Sequence, residues 1–232
     1  MKPEKGSIRN KVSESITGLP AIVSAVKPQK NKTGRFSLFS QKKFIIGISA
    51  DTLVTFNLEK GVKITPFLFE QISAAEDRQS IKDYCIRLLG RRDHAREELK
   101  RKATGKGFDP GLVESVLTEL VQKKYIDDKK FAAKFISDKI TFRQWGPVKI
   151  RLELKKKRIP SPVIEQLLSE YTDDLELIQI CVDLALKRNR HFLKEPDTFK
   201  RKQKIAAYLQ RKGFSFGTIN RAMPNIIERL NV

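Results

Sequence analysis

From residue 66 onward the chain is written in helical periods. Apolar residues recur three and four apart in Ile81, Cys85, Leu88 and Leu89, and again in Val113, Val116, Leu117 and Leu120. That spacing lays one stripe along one face of a helix. Residues 35–64 carry another pattern. Arg35-Phe36-Ser37-Leu38-Phe39 and Lys43-Phe44-Ile45-Ile46-Gly47-Ile48 are short apolar-rich runs around a polar turn, which predicts two strands. Asp51-Thr52-Leu53-Val54 either opens a short helix with Asp51 as its cap or continues as strand, and Gly61 marks a break after it. Residues 35–77 are therefore expected to form a small β-containing module with a linker helix. A module of that size is not stable alone and should lean on the helices after it. Thr65-Pro66 is the start signal of those helices, a hydroxyl cap and then proline at the first helical position. Residues 1–34 carry Gly6, Gly18, Pro20, Pro28 and Gly34 with little periodicity and are expected to be a flexible basic tail.

The helical part repeats itself. Lys106-Gly107-Phe108 returns as Lys212-Gly213-Phe214, with a degenerate copy, Lys157-Arg158-Ile159, between them. Around these triplets the pairs Leu99/Ala103, Ile150/Leu154 and Ile205/Leu209 align without gaps, as do Val113, Ile164 and Ile219. Self-similarity at about this period marks one supersecondary unit used several times. The expected fold is mainly α, an elongated array of three tandem three-helix repeats over residues 78–126, 127–172 and 173–232. Single-stripe helices of this length are marginal alone, and three together bury their stripes against one another. Caps mark many of the boundaries: Asp109-Pro110, Asp127/Asp128, Ser161-Pro162 and Ser215 open helices, Gly107 ends one, and Trp145-Gly146-Pro147 breaks the chain before another. Pro224 falls inside the last helix, where proline kinks.

Composition adds a partner class. The net charge is +20. Residues 78–232 hold 35 Lys and Arg against 20 Asp and Glu. Such an excess argues for a polyanion: nucleic acid, an anionic surface or an acidic protein. The second helix of each repeat is the basic one, with Arg96, Lys100, Arg101 and Lys106 in the first. The second has Lys149, Arg151, Lys155, Lys157 and Arg158, and the third has Arg201, Lys204, Arg211 and Lys212. Lys106, Lys157 and Lys212 share one register. Three basic runs at one repeat position predict a positive line suited to an extended polyanion or a filament, with salt-dependent binding. These thirteen residues are the candidate contacts.

Other chemistry is not legible. His94 and His191 lie in different repeats without metal-ligand spacing, and there is no phosphate-binding loop, nucleophile elbow or Cys/His pair. Asp127-Asp128 and Asp173-Asp174 stand where helices begin, as caps do. Cys85 and Cys181 are expected to be reduced core thiols, and Trp145 a packing plug at an inter-helix corner. The expectation is a non-enzyme without cofactor or metal. No apolar run approaches the roughly 20 residues a bilayer span needs, and no signal peptide is legible, so a cytoplasmic monomer with no membrane partner is expected.

With these residues in hand, the chain resembles the RecX family. The likeness runs through Cys85-Ile86-Arg87-Leu88-Leu89-Gly90-Arg91-Arg92, His94-Ala95-Arg96-Glu97-Glu98-Leu99 and Lys106-Gly107-Phe108-Asp109. It continues through Tyr125-Ile126-Asp127-Asp128, Phe131-Ala132, Gly146-Pro147 and Arg211-Lys212-Gly213-Phe214. It departs at Ala103, small where leucine is usual, and at Arg158, which replaces the middle glycine. The resemblance implies a regulator that lies in the groove of the RecA–single-stranded-DNA filament and inhibits or modulates recombinase ATPase, strand exchange and co-protease activity. The implied partners are the RecA filament and DNA, single-stranded first and double-stranded second. Two other readings stand beside it: a sequence-nonspecific nucleic-acid-binding helical-repeat protein, which would bind DNA tightly without recombinase, and an adaptor for an acidic protein, which would ignore DNA.

Overall fold

The computed structural model describes residues 18–30 and 33–230. They form two compact units. One comprises residues up to Arg87 together with Ala103–Thr118, and the other Leu88–Lys102 together with residues from Glu119 on. The first repeat thus contributes to both, with the cuts falling inside its three helices.

The first unit opens with strands. β1 (Ala21–Ile22) pairs antiparallel with β5 (Lys63–Ile64), and β2 (Ala25–Pro28), β3 (Arg35–Ser40) and β4 (Lys43–Ser49) make an antiparallel sheet in that order. β3 and β4 are the two strands the apolar runs predict. The turn between them is Gln41-Lys42, both left-handed (φ 46° and 70°), the twist-matched two-residue hairpin geometry. The described part of the expected flexible tail is in fact ordered. Ala21–Ile22 and Ala25–Pro28 are strands, and Val23 between them is buried, exchanging backbone hydrogen bonds with Val62 and Gly61. β2 escapes a reading by local pattern because it is a short edge strand that ends at Pro28, where proline is tolerated. Residues 1–17, also expected as tail, lie outside the described residues.

α1 (Ala50–Thr55) is a helix, but its cap is Ser49, whose hydroxyl accepts from Thr52 N; Asp51 sits in the first turn instead. α2 runs unbroken over Pro66–Leu89, with Thr65 Oγ1 accepting from Leu68 N at 3.2 Å. Phe69 and Ile72 of α2 join Leu38, Ile45, Ile48, Leu58 and Ile64 in one core, so the β module does lean on a helix. Buried Glu76 reinforces the contact. Its carboxylate accepts from Ser49 N at 2.7 Å and from Arg35 Nη2 at 2.8 Å.

The repeats continue as α3 (Arg96–Gly105), α4 (Pro110–Gln122), α5 (Asp128–Arg143), α6 (Pro147–Lys156), α7 (Ser161–Tyr171), α8 (Asp174–Leu186), a short α9 (Asn189–Phe192), α10 (Thr198–Lys212) and α11 (Phe216–Leu230). In the second unit, Phe131, Ile136, Ile150, Leu154, Ile164 and Leu168 fill the middle repeat. Cys181, Ile205, Leu209, Ile219 and Ile226 fill the last. Ile180 packs against both cores, and each buried aliphatic side chain contributes about 1.5–3 kcal/mol. The thiols of Cys85 and Cys181 are free and buried, and burial pushes them up to about 11 and about 12.

The aligned triplets share one backbone geometry. Gly107, Arg158 and Gly213 are all left-handed, at φ 96°, 58° and 95°. In each copy two bonds close the helix: Phe108 N to Ala103 O, Ile159 N to Leu154 O and Phe214 N to Leu209 O at 3.2–3.3 Å, and Gly107 N to Thr104 O, Arg158 N to Lys155 O and Gly213 N to Gln210 O at 2.8–2.9 Å. This is the two-bond helix stop that favours glycine, and Arg158 adopts it against its side chain's preference. Asp109, Asp127 and Ser215 cap as expected. Asp173 likewise caps α8 and Asp197 caps α10. Ser161 does not cap: α7 begins after Pro160 without a side-chain cap bond, and Ser161 is its first residue.

Candidate functional site

The thirteen candidate cations separate by what holds them. Some are tied inside the second unit. Lys157 donates to Glu98, with its ammonium over the rings of Phe131 and Phe135. Burial pushes the Glu98 carboxyl up, but the hydrogen bonds and charges of Lys157 and Arg92 outweigh it and hold it below its ordinary value. Arg158 lies 3.6 Å from Glu97. Arg151 makes a bidentate pair with Glu165 at 2.6 and 2.7 Å, and Lys204 pairs with Glu195 at 2.5 Å. Arg201 is not on the surface at all. It is buried, with Nε donating to Glu195 O at 2.9 Å, so this guanidinium fastens the loop before α10.

Lys155 and Arg211 are exposed. Lys106, in the first unit, is exposed beside the Tyr84 ring at 5.8 Å. Arg96, Lys100 and Arg101 stand on α3, with Arg96 N donating to Asp128 Oδ1 at 2.8 Å. Burial raises the pKa of that carboxyl against the pull of this bond.

Lys149 and Lys212 meet at a corner. Gly146 N and Val148 N, at the start of α6, donate to Lys212 O and Gly213 O, at the end of α10, at 2.9 and 3.0 Å. Both glycines are required for this approach: a Cβ on Gly146 would lie 2.3 Å from Gly213 O, and one on Gly213 would lie 2.2 Å from Lys149 Cβ. Half-buried Trp145 packs on the middle core as the expected plug, with the ammonium groups of Lys149 and Lys139 at 4.3 and 5.3 Å from its ring.

Four cations that the repeat pattern did not single out also stand here. Lys139 and Arg143 come from the last turns of α5. Lys187 and Arg188 come directly after α8, and Lys187 Nζ reaches Gln144 Oε1 at 3.1 Å. Lys212 Nζ points to Arg143 O at 3.4 Å. Among the described residues, no carboxylate pairs with Lys139, Arg143, Lys149, Lys187, Arg188 or Lys212. Burial, with Lys149, Arg188 and Lys187 nearby, lowers the pKa of Lys212. The only sequence signal for these four was cations at helix ends, where dipoles favour them anyway.

Among the described residues no group of three or more His, Cys, Asp and Glu could hold a metal, and no helix is long and apolar enough to cross a membrane. Fold and composition together define a tandem three-helix repeat protein carrying a small β module and a strong excess of basic residues. Three family models, the first, second and third three-helix domains of RecX, match residues 82–120, 127–168 and 174–223. The chain belongs to the RecX family of regulatory proteins. It is 30% identical to the regulatory protein RecX of Leuconostoc mesenteroides over 84% of this chain and 72% of that one. With the RecX of Chlorobium phaeobacteroides it shares 34% identity over 66% of this chain and 97% of that one. A crystal structure of regulatory protein RecX superposes with a TM-score of 0.75 at 24% identity, covering 88% of this chain and 99% of that chain. Another, RecX from Lactobacillus salivarius, gives 0.59 at 24% identity, covering 66% and 97%. These two likenesses speak for the fold.

Proposed function

We propose that the protein regulates the RecA recombinase by binding the groove of its filament on single-stranded DNA, modulating ATPase, strand exchange and co-protease activity. The reading is carried by family membership together with a net charge of +20. On this reading Arg96, Lys100, Arg101, Lys106, Lys149, Lys155, Arg211 and Lys212 supply the grip. Lys157, Arg151, Lys204 and Arg201 instead keep the repeats in shape. The exposed cations Lys155 and Arg211 also favour a second reading, a helical-repeat protein that binds nucleic acid without sequence preference. Co-sedimentation with RecA–single-stranded-DNA filaments separates the two. Filament regulation predicts capture well above that by bare DNA, and a glutamate reversal at Lys155 and Arg211 should reduce it. Equal capture by filament and bare DNA would favour the second reading. Capture by neither would remove both.

A further inference from the structure

The repeat alignment puts Glu98 and Lys149 at one position, five residues before Ala103 and Leu154. It puts Lys157 and Lys212 at another. In the first junction these two positions face each other as acid and base, Glu98 accepting from Lys157. In the second junction the lysine is kept, as Lys212, but the facing acid has become Lys149. Lys187 and Arg188 add to the excess, and no carboxylate among the described residues pairs with any of the four. The backbone here is pinned by the Gly146–Lys212 and Val148–Gly213 bonds, so the cations sit on a fixed platform.

We infer that this corner is a phosphate site, in which a bound phosphate supplies the negative charge that Glu98 supplies in the first junction. Its ligand is the phosphodiester of single-stranded nucleic acid. Lysine ammonium groups donate to phosphate oxygens as point charges, while the Arg188 guanidinium offers a planar fork. Cations beside an aromatic surface, here Trp145, are the combination that single strands use, and a purely acidic peptide would have no use for the ring. The inference rests on the DNA-filament reading above and deepens it by saying where the strand touches.

Trp145 is the only tryptophan of the chain, so its fluorescence reports on this corner directly. Titration with a short oligothymidylate should give a saturable, salt-dependent change. Replacing two phosphate contacts, by Lys187→Gln with Arg188→Gln, should lower the slope of log affinity against log salt by about 1.4. Lys149→Glu rebuilds the acid–base pair of the first junction. It should melt at a higher temperature than the wild type while losing the fluorescence response, a combination that misfolding cannot produce. Four results would overturn the inference: wild-type affinity and slope in Lys149→Glu, equal saturation by poly-glutamate, a response to inorganic phosphate with none to the oligonucleotide, or oligonucleotide binding that leaves Trp145 unchanged. If it fails while filament capture persists, the regulatory reading survives. If filaments are ignored too, both fall.

Discussion

Two junctions inside the second unit answer the same question in opposite ways. Where the second repeat meets the start of α3, Lys157 closes α6 against Glu98, and Arg158 lies beside Glu97. Where the third repeat meets the start of α6, Lys212 closes α10 beside Lys149, and the backbones bond directly through Gly146 and Gly213. The helix stop is identical in both, down to its two hydrogen bonds. The difference lies in the facing residue: an acid turns the shared lysine into an internal strut, and a lysine leaves it available for an outside anion. Register alone does not make a cation a contact.

The largest way to break the comparison is Glu98→Lys. It leaves Lys157, only 17% exposed, facing a like charge, and should cost about 3–5 kcal/mol in denaturant unfolding. A loss under about 1 kcal/mol would show the strut to be decorative. Next comes Gly146→Ala, whose Cβ would lie 2.3 Å from Gly213 O. With backbone on both sides and no flexible side chain to yield, a loss of about 2–3 kcal/mol is expected. A neutral result would mean that the two backbones part easily.

Those two effects depend on tertiary neighbours, which marks the limit of what the sequence could convey. The periodicity of Ile150, Leu154, Ile205 and Leu209 was enough to name the repeats, because burying one stripe is a local decision. Asp109, Asp127 and Ser215 were legible because a cap acts within its own first turn. β2 was not, since Ala25–Pro28 becomes strand only by pairing with Phe36–Phe39. Ser49 was passed over for Asp51 because either residue type can cap, and the chain's path chose between them. Arg201 looked like part of a basic face until the carbonyl of Glu195 came over it. The cluster of Lys139, Arg143, Lys187 and Arg188 was invisible because it joins the ends of two helices distant in sequence.

A smaller change sharpens the helix-stop half of the comparison. Arg158 holds the left-handed position that glycine fills in the other two copies, and its side chain is 76% exposed beside Glu97. Arg158→Gly should stabilise by about 1 kcal/mol, read as a higher denaturant midpoint at unchanged slope. Destabilisation would show that the Glu97 contact outweighs the backbone strain. The smallest effect concerns pH. His94 is buried with Nδ1 against Arg92 O at 2.9 Å, and burial lowers its pKa from the ordinary 6.5. The unfolded chain therefore takes up a proton first. The stability this group contributes is complete above pH 6.5 and is lost as pH falls through the lower folded value. His94→Asn, which keeps a donor near Nδ1, should flatten that part of the acid profile. An unchanged profile would assign it to other groups.

Whether cations left without carboxylate partners on a repeat scaffold act on the recombinase filament is decided by single-stranded-DNA-dependent ATP hydrolysis by RecA. The wild type, titrated far below one molecule per recombinase, should change the rate strongly, and Lys149→Glu should need much more protein for the same change despite its greater stability. An unchanged rate with the wild type, or equal potency of the two proteins, would contradict that role.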